Sequence, residues 1–175
     1  SSVEEQHFPK DLNPYYVAYR SVAVAISDIY AMGGIPESYL LSISHPQPSD
    51  LWFGEFSKGI EKVNQDYSLS LLGGDMVKGQ LAITVTVFGK ALGNICERSN
   101  AKLGDNIFLS GPLGFGKAGL EDYQKGNKDE PSQYLMPQLI SNHIIEKLNP
   151  IMNAAIDVSD GLIKDLGRIC SASGV

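Results

Sequence analysis

The sequence predicts a mixed α/β fold, α+β in the arrangement of its sheet, and three observations carry that expectation. Apolar residues recur at helical spacing in some segments and alternate at strand spacing in others. The two kinds of segment are interleaved along the chain. Their order is α-β-α-β-β, a connection, then β-α-α-β-α, which suits layered helices on a sheet.

Asn13-Pro14 marks the first helix start, with Asn as the cap and Pro in the first helical position. That helix is expected over 15–32 and stops at Gly33-Gly34, with Pro36 beyond as a further stop. Residues 39–43 (YLLSI) read as a buried strand, and HPQPSD after them as a loop. Ser49 caps a second helix whose apolar face is Trp52, Phe56, Ile60 and Val63. A short strand over 68–72 ends in Gly73-Gly74-Asp75. Leu81, Ile83, Val85 and Val87 alternate with Ala82, Thr84, Thr86 and Phe88, a strand apolar enough on both faces to be covered on both. Residues 107–110 read as another strand, and a Gly-rich turn (GPLGFGKAGL) then leads into a helix. A polar loop is expected over 126–132, a helix over 135–148, a strand over 154–158 and a last helix over 162–171. Weak periodicity over 90–105 places a domain boundary near Arg98, dividing 1–98 from 99–175.

Composition narrows the function classes. With 175 residues, 43% hydrophobic and 19% charged, the chain has the make-up of a soluble globular protein large enough for a core. A formal charge of −6 argues against nucleic-acid binding, which needs a basic surface to neutralise phosphates. It does not argue against an anionic small substrate, because bound metal ions reverse the local sign. Cys96 and Cys170 lie far apart without CxxC spacing, so neither a disulfide framework nor a zinc site is expected, and a reducing cytoplasm fits best. No apolar run approaches the roughly 18–20 residues that span a bilayer. The longest, 22–32, is broken by Ser27 and Asp28. The sequence shows no signal peptide, opens without Met and stops at Ser-Gly-Val just after a helix-like segment, so it reads as an internal piece.

Four acids do not fit an ordinary core. Asp28 sits among Val22, Val24, Ile26, Ile29 and Met32, where an unpaired buried charge is costly. Either it lies on an exposed stripe or pairs with Arg20, or it is aimed at a cation. Asp75 follows a strand and two glycines, at a strand's carboxyl end where the backbone can approach a ligand. Asp157 interrupts an apolar strand, and Asp160 or Ser159 is a natural N-cap for the last helix. These are hard oxygen donors with no Cys or His cluster, which suits magnesium shared with substrate phosphates better than zinc or iron. The Gly-rich loop 111–119 lacks the GKS or GKT ending of a P-loop and reads mainly as a turn. No Ser-His-Asp or Cys-His arrangement is visible.

Taken in order, AISDIYAMGGIP (25–36), Gly73-Gly74-Asp75 and IDVSDGL (156–162) resemble the superfamily of ATP-dependent enzymes that includes aminoimidazole ribonucleotide synthetase, selenophosphate synthetase and thiamine-monophosphate kinase. The resemblance covers essentially the whole chain. Within the superfamily the GGD turn, IDVSDGLIKDL, His7-Phe8 and Arg98-Ser99 ahead of AKLGD look like the thiamine-monophosphate kinases. Selenophosphate synthetases carry Gly-Gly-His and Thr-Asp-Val-Thr-Gly in the corresponding places. The resemblance implies an aminoimidazole ribonucleotide synthetase-like two-domain architecture with both domains incomplete. It implies ATP as co-substrate, thiamine monophosphate as phosphate acceptor, Mg2+ as cofactor and a homodimer formed through the N-terminal sheet. It implies that Asp28, Asp75, Asp157 and Asp160 ligate magnesium, that Gly74, Asp75, Arg98 and Ser159 lie at the nucleotide, and that His7 lies near the thiamine phosphate. The runners-up are another ATP-dependent enzyme of the superfamily, or a non-catalytic nucleotide-binding domain. The chain departs from the pattern at Glu4 to Gln6, where a Gly usually precedes His-Phe, and at Asn100, Met136 and Ile140. It begins after a Ser/Thr-Asp metal motif and stops before a thiamine-contacting portion, so this piece alone is expected to be inactive.

Overall fold

A computed structural model describes residues 1–47, 49–128 and 131–175. Its centre is a four-stranded mixed sheet in the order β1-β4-β2-β3: β1 (Ser2–Val3), β2 (Gly34–His45), β3 (Ser70–Lys78) and β4 (Ala82–Ala91). β4 runs antiparallel to both β1 and β2, whereas β2 and β3 are parallel. Parallel neighbours need a crossover, and α2 (Asp50–Tyr67) supplies it. α1 (Pro14–Ala31) begins as the sequence dictates: the Asn13 side chain accepts from the Tyr15 amide at 2.9 Å, with Pro14 in the first position. Ser49 caps α2 in the same way, accepting from the Trp52 amide at 3.2 Å.

The core lies between the two helices and one sheet face. Val17, Ala18, Val22, Ala23 and Ile26 of α1 and Phe56 and Val63 of α2 meet Tyr39, Leu41 and Ile43 of β2 and Ile83 of β4. The period-two pattern leaves the opposite face open. Leu40, Thr84, Thr86 and Phe88 are exposed, and so is the whole of β3. The expectation that the strand at 81–88 is covered on both faces is therefore wrong: only the Ile83–Val85–Val87 face is packed.

Beyond β4 the chain folds back over the helices. α3 (Phe115–Gln124), α4 (Asn142–Leu148) and α5 (Leu162–Ser173) are joined by long irregular segments, with single 3-10 turns at Arg98–Asn100 and Asn149–Ile151. Tyr134 and Leu135 enter the common core, where Arg20 donates to the Tyr134 carbonyl and lies 4.1 Å over its ring. The Asn149 amide, almost wholly buried, donates to the Gly33 and Asn94 carbonyls at 3.0 and 2.8 Å.

Three expectations fail in this half. Among the described residues 107–110 and 154–158 form no strand, because neither segment has a neighbouring strand to take up its backbone groups. Phe108, 85% exposed, shows how little packs on the first. The helix expected over 135–148 forms only at Asn142–Leu148. Pro137 lacks an amide proton and biases Met136 toward extended backbone. The Tyr67 hydroxyl then claims the Pro137 carbonyl and the Leu139 amide, both at 3.1 Å. The loop expected over 126–132 lies partly outside the described residues, at Asp129 and Glu130, as does Pro48 of the HPQPSD loop.

Candidate active site

The last turn of α1 carries the first carboxylate. Asp28 is exposed and does not pair with Arg20, whose guanidinium is engaged with Tyr134. Partial desolvation pushes the Asp28 carboxyl above the usual carboxylate range, and direct interaction with Asp157 pushes it further. The Arg98 charge partly opposes both effects. The fold thus brings Asp28, Asp157 and Arg98 into one neighbourhood from α1, the segment before α5 and the first 3-10 turn. Two like charges held together beside a cation are a natural seat for a divalent ion that bridges to an anion. Just after Arg98, an open groove of about 550 Å³ is lined by Asn94, Ser99, Asn100, Lys102 and Asn153.

Asp160 and Ser159 are held differently from the N-cap arrangement the sequence suggests. Gly161 occupies the cap of α5 at φ 108°, with no side-chain cap bond. The backbone amides of Ser159 and Asp160 instead both donate to Oδ2 of Asp165, at 3.0 and 2.9 Å. Asp165 is wholly buried, and its Oδ1 accepts from Arg168 at 2.6 Å. The other guanidinium nitrogen of Arg168 reaches the Asp160 carboxylate at 2.6 Å, and Lys164 reaches the same oxygen at 2.9 Å. Those two cations hold the Asp160 carboxyl below the ordinary carboxylate range. Sequence reasoning missed Asp165 and Arg168. The signal was present: an acid in the first turn of an amphipathic helix, with Arg one turn later.

Asp75 stands apart. Gly73-Gly74-Asp75 is not a strand end as expected but the middle of β3, with Leu41 opposite Gly74 and Ser42 opposite Asp75. The ladder shifts register between Tyr39 and Leu40, which pair with Leu71 and Gly73, so Leu72 is bulged out. A Cβ on Gly74 would lie 1.7 Å from the Leu41 carbonyl oxygen, so the close approach of β3 to β2 is what requires glycine there. Ile29, next to Asp28, packs beside Gly34 at the start of β2, whereas Asp75 lies opposite Ser42, eight residues further on. At about 3.3 Å per residue this is roughly 25 Å of strand. Among the described residues no three His, Cys, Asp or Glu side chains form a group able to hold a metal ion. The fold of one chain therefore joins Asp28 with Asp157, keeps Asp160 on the α5 loop, and carries Asp75 toward the far end of the sheet.

His7 belongs to a tight turn after β1. Its Nδ1 accepts from the Val3 amide at 3.1 Å, and its own amide donates to the Val3 carbonyl at 2.9 Å. Glu5, one of the departures from the expected pattern, takes φ 64°, a left-handed conformation that favours glycine.

A mixed sheet with two helices on one face, served by carboxylates from a helix end and a helix-approach loop, defines a class built on hard oxygen donors beside a cationic side chain. The chain belongs to the AIR synthase-related protein family, whose N-terminal domain matches residues 1–91. Over 98% of its length it is 42% identical to a thiamine-monophosphate kinase of Buchnera aphidicola subsp. Schizaphis graminum, and it covers 55% of that relative. The crystal structure of thiamine-monophosphate kinase from Stenotrophomonas maltophilia superposes on 98% of the chain with a TM-score of 0.87 and 31% identity, the chain covering 58% of it. AaThiL complexed with AMPPCP and TMP superposes on 99% with a TM-score of 0.88 and 29% identity, with 59% of it covered. The chain thus spans somewhat more than half the length of the relatives it matches, and the aminoimidazole ribonucleotide synthetase-like architecture expected from the motifs is the one found.

Proposed function

We propose that the protein containing this chain is an ATP-dependent kinase that transfers the γ-phosphoryl group of ATP to the phosphate of thiamine monophosphate, giving thiamine diphosphate and ADP. The observation that carries this reading is the similarity to thiamine-monophosphate kinases along 98% of the chain, with the complex of AaThiL with AMPPCP and TMP as a structural relative. The relatives described above are kinases of this kind rather than selenophosphate or purine-pathway synthetases, and no feature of the site favours those alternatives or a non-catalytic nucleotide-binding role.

Phosphoryl transfer of this kind is chiefly positioning and charge neutralisation, and needs no covalent nucleophile. Asp28 and Asp157 suit a magnesium ion, since a divalent cation would offset both the desolvation of Asp28 and the repulsion from Asp157 that raise its pKa. Asp160 would be the further ligand on the α5 loop, and Asp75 the ligand on the sheet. Bound magnesium would neutralise charge on the transferring phosphates. Arg98 would meet a phosphate through a charge-assisted hydrogen bond, with Gly74 and Ser159 beside the nucleotide and His7 toward the thiamine phosphate. Residues 1–98 would form the ATP-binding domain and 99–175 part of the second. The open sheet face, with Leu40, Val77 and Phe88 exposed, suits a homodimer. A dimer through that face would also reconcile the distance between Asp75 and Asp28, each copy lending Asp75 to the other's site. The free Cys96 and Cys170, and the lack of any helix long and apolar enough to cross a membrane among the described residues, accord with a cytoplasmic enzyme.

The test is ADP release by the intact protein with Mg-ATP, offered thiamine monophosphate, selenide or an aminoimidazole-type ribonucleotide in separate reactions. Release that depends on thiamine monophosphate alone is expected. Release driven by either of the others would overturn the assignment.

A further inference from the structure

Asp165 is the single fully buried acid among the described residues, and both of its oxygens are occupied within the chain. One accepts the consecutive amides of Ser159 and Asp160, and the other accepts Arg168. Asp165 is wholly buried and turned to the loop amides and Arg168, so it is read as a partner of the loop rather than as a metal ligand. A buried carboxylate is retained only where its hydrogen bonds are satisfied, and three charge-assisted or amide donors satisfy this one.

What those bonds fix is the loop between Asp157 and α5. The turn follows Asp157 and enters the helix through Gly161 at φ 108°. Among the described residues no other side chain bonds to the Ser159 or Asp160 amides. The loop's path is therefore set by one carboxylate reaching back from the first turn of α5. Arg168 closes the ring: it bonds Asp165 with one nitrogen and the Asp160 carboxylate with another, both at 2.6 Å. The Asp160 side chain is thereby referenced to a buried group through a rigid, two-pronged guanidinium.

We propose that Asp165, acting through Arg168 and the two loop amides, is a positioning residue for the metal-binding loop 157–160. This rests on the reading of Asp157 and Asp160 as magnesium ligands. Partners that orient metal ligands carry a characteristic cost when removed, about 10–100-fold in metal affinity or activity. Asn at position 165 keeps the volume but offers a single oxygen, so either the two amides or Arg168 must lose its acceptor.

The experiment compares the intact wild-type protein with Asp165→Asn and Arg168→Gln by two readouts. Amide hydrogen exchange over 156–161 needs neither metal nor substrate. In Asp165→Asn it is expected to accelerate at least tenfold at Ser159 and Asp160, with peptides of α1 and β2 unchanged. Titration with Mg2+ alone, followed by calorimetry, is expected to weaken by about 10–100-fold, while KM for thiamine monophosphate stays within twofold. If Asp165→Asn does not fold, Arg168→Gln decides the matter, because that side chain is solvent-exposed; it is expected to move both readouts in the same direction by a smaller factor. Unchanged exchange at Ser159 and Asp160, or unchanged Mg2+ affinity, in a folded variant overturns the proposal. A wild type that binds Mg2+ but does not phosphorylate thiamine monophosphate would sink the functional reading alone and leave both readouts valid.

Discussion

Gly74 separates a packing requirement from a ligand requirement, and Gly74→Ala tests which one the residue serves. A Cβ built there lies 1.7 Å from the Leu41 carbonyl oxygen and 2.6 Å from the carbonyl carbon, where real Cβ contacts essentially never fall below 3.0 Å. Relieving the first contact requires β3 to retreat by about 1.3 Å from β2, stretching the ladder that joins the two strands. Such overpacking costs about 1–3 kcal/mol, and each weakened ladder bond adds about 1 kcal/mol. Because β3 is an edge strand and can yield, the sum is placed at about 2–4 kcal/mol. With a urea slope near 2 kcal/mol/M, the midpoint should fall by roughly 1–2 M. Gly73 is the control. At φ 153° its Cβ would meet nothing within 4 Å, so Gly73→Ala incurs backbone strain of about 1–3 kcal/mol but no clash with β2. The assay is urea denaturation followed by far-UV circular dichroism at fixed protein concentration. A Gly74→Ala protein within 0.5 kcal/mol of wild type, but weakened in ATP binding, would refute the packing account and return the glycine to the nucleotide.

Two further predictions follow from local geometry. Glu5 holds φ 64° in the turn that carries His7, so Glu5→Gly should raise stability by about 1 kcal/mol, read as an increased melting temperature; an unchanged or lower value would contradict the strain. The Asp28 carboxyl is shifted upward, first by desolvation and then by Asp157, so the folded state favours its protonated form. That contribution is present at low pH and is lost as pH rises from the unfolded carboxylate value of about 3.9 through the raised folded one. Without metal, Asp28→Asn should therefore gain on wild type across that window, and melts in EDTA from pH 4 to 7 should diverge; parallel curves would contradict the coupling.

Much of the N-terminal half was legible because its signals are local. Asn13-Pro14 and Ser49 cap their helices through bonds of two or three residues' span, and the period-two strand at 82–91 needs no distant information beyond a core to face. The C-terminal half was less legible for the same reason turned around. Ile107 to Leu109 and the segment before Asp157 have strand-like composition, yet a strand exists only with a neighbour, and composition does not supply one. Leu135 has helical periodicity, but the Tyr67 hydroxyl, some seventy positions away, captures the backbone around Pro137. The acids were recognisable as anomalies and by resemblance. Their grouping was not, since the position of Asp75 depends on how far β3 extends past its glycines, and the role of Asp165 depends on a helix turning a carboxylate back upon the loop that precedes it.

The most direct measurement is thiamine diphosphate formed by the intact protein from Mg-ATP and thiamine monophosphate, run beside its Asp75→Asn variant. The account predicts product in the wild type and a loss of at least 100-fold in a folded variant, as expected when a ligand that organises transition-state charge is neutralised. No product from a folded, ATP-binding wild type would contradict the assignment of substrate, and full activity in Asp75→Asn would contradict the role given to the sheet carboxylate.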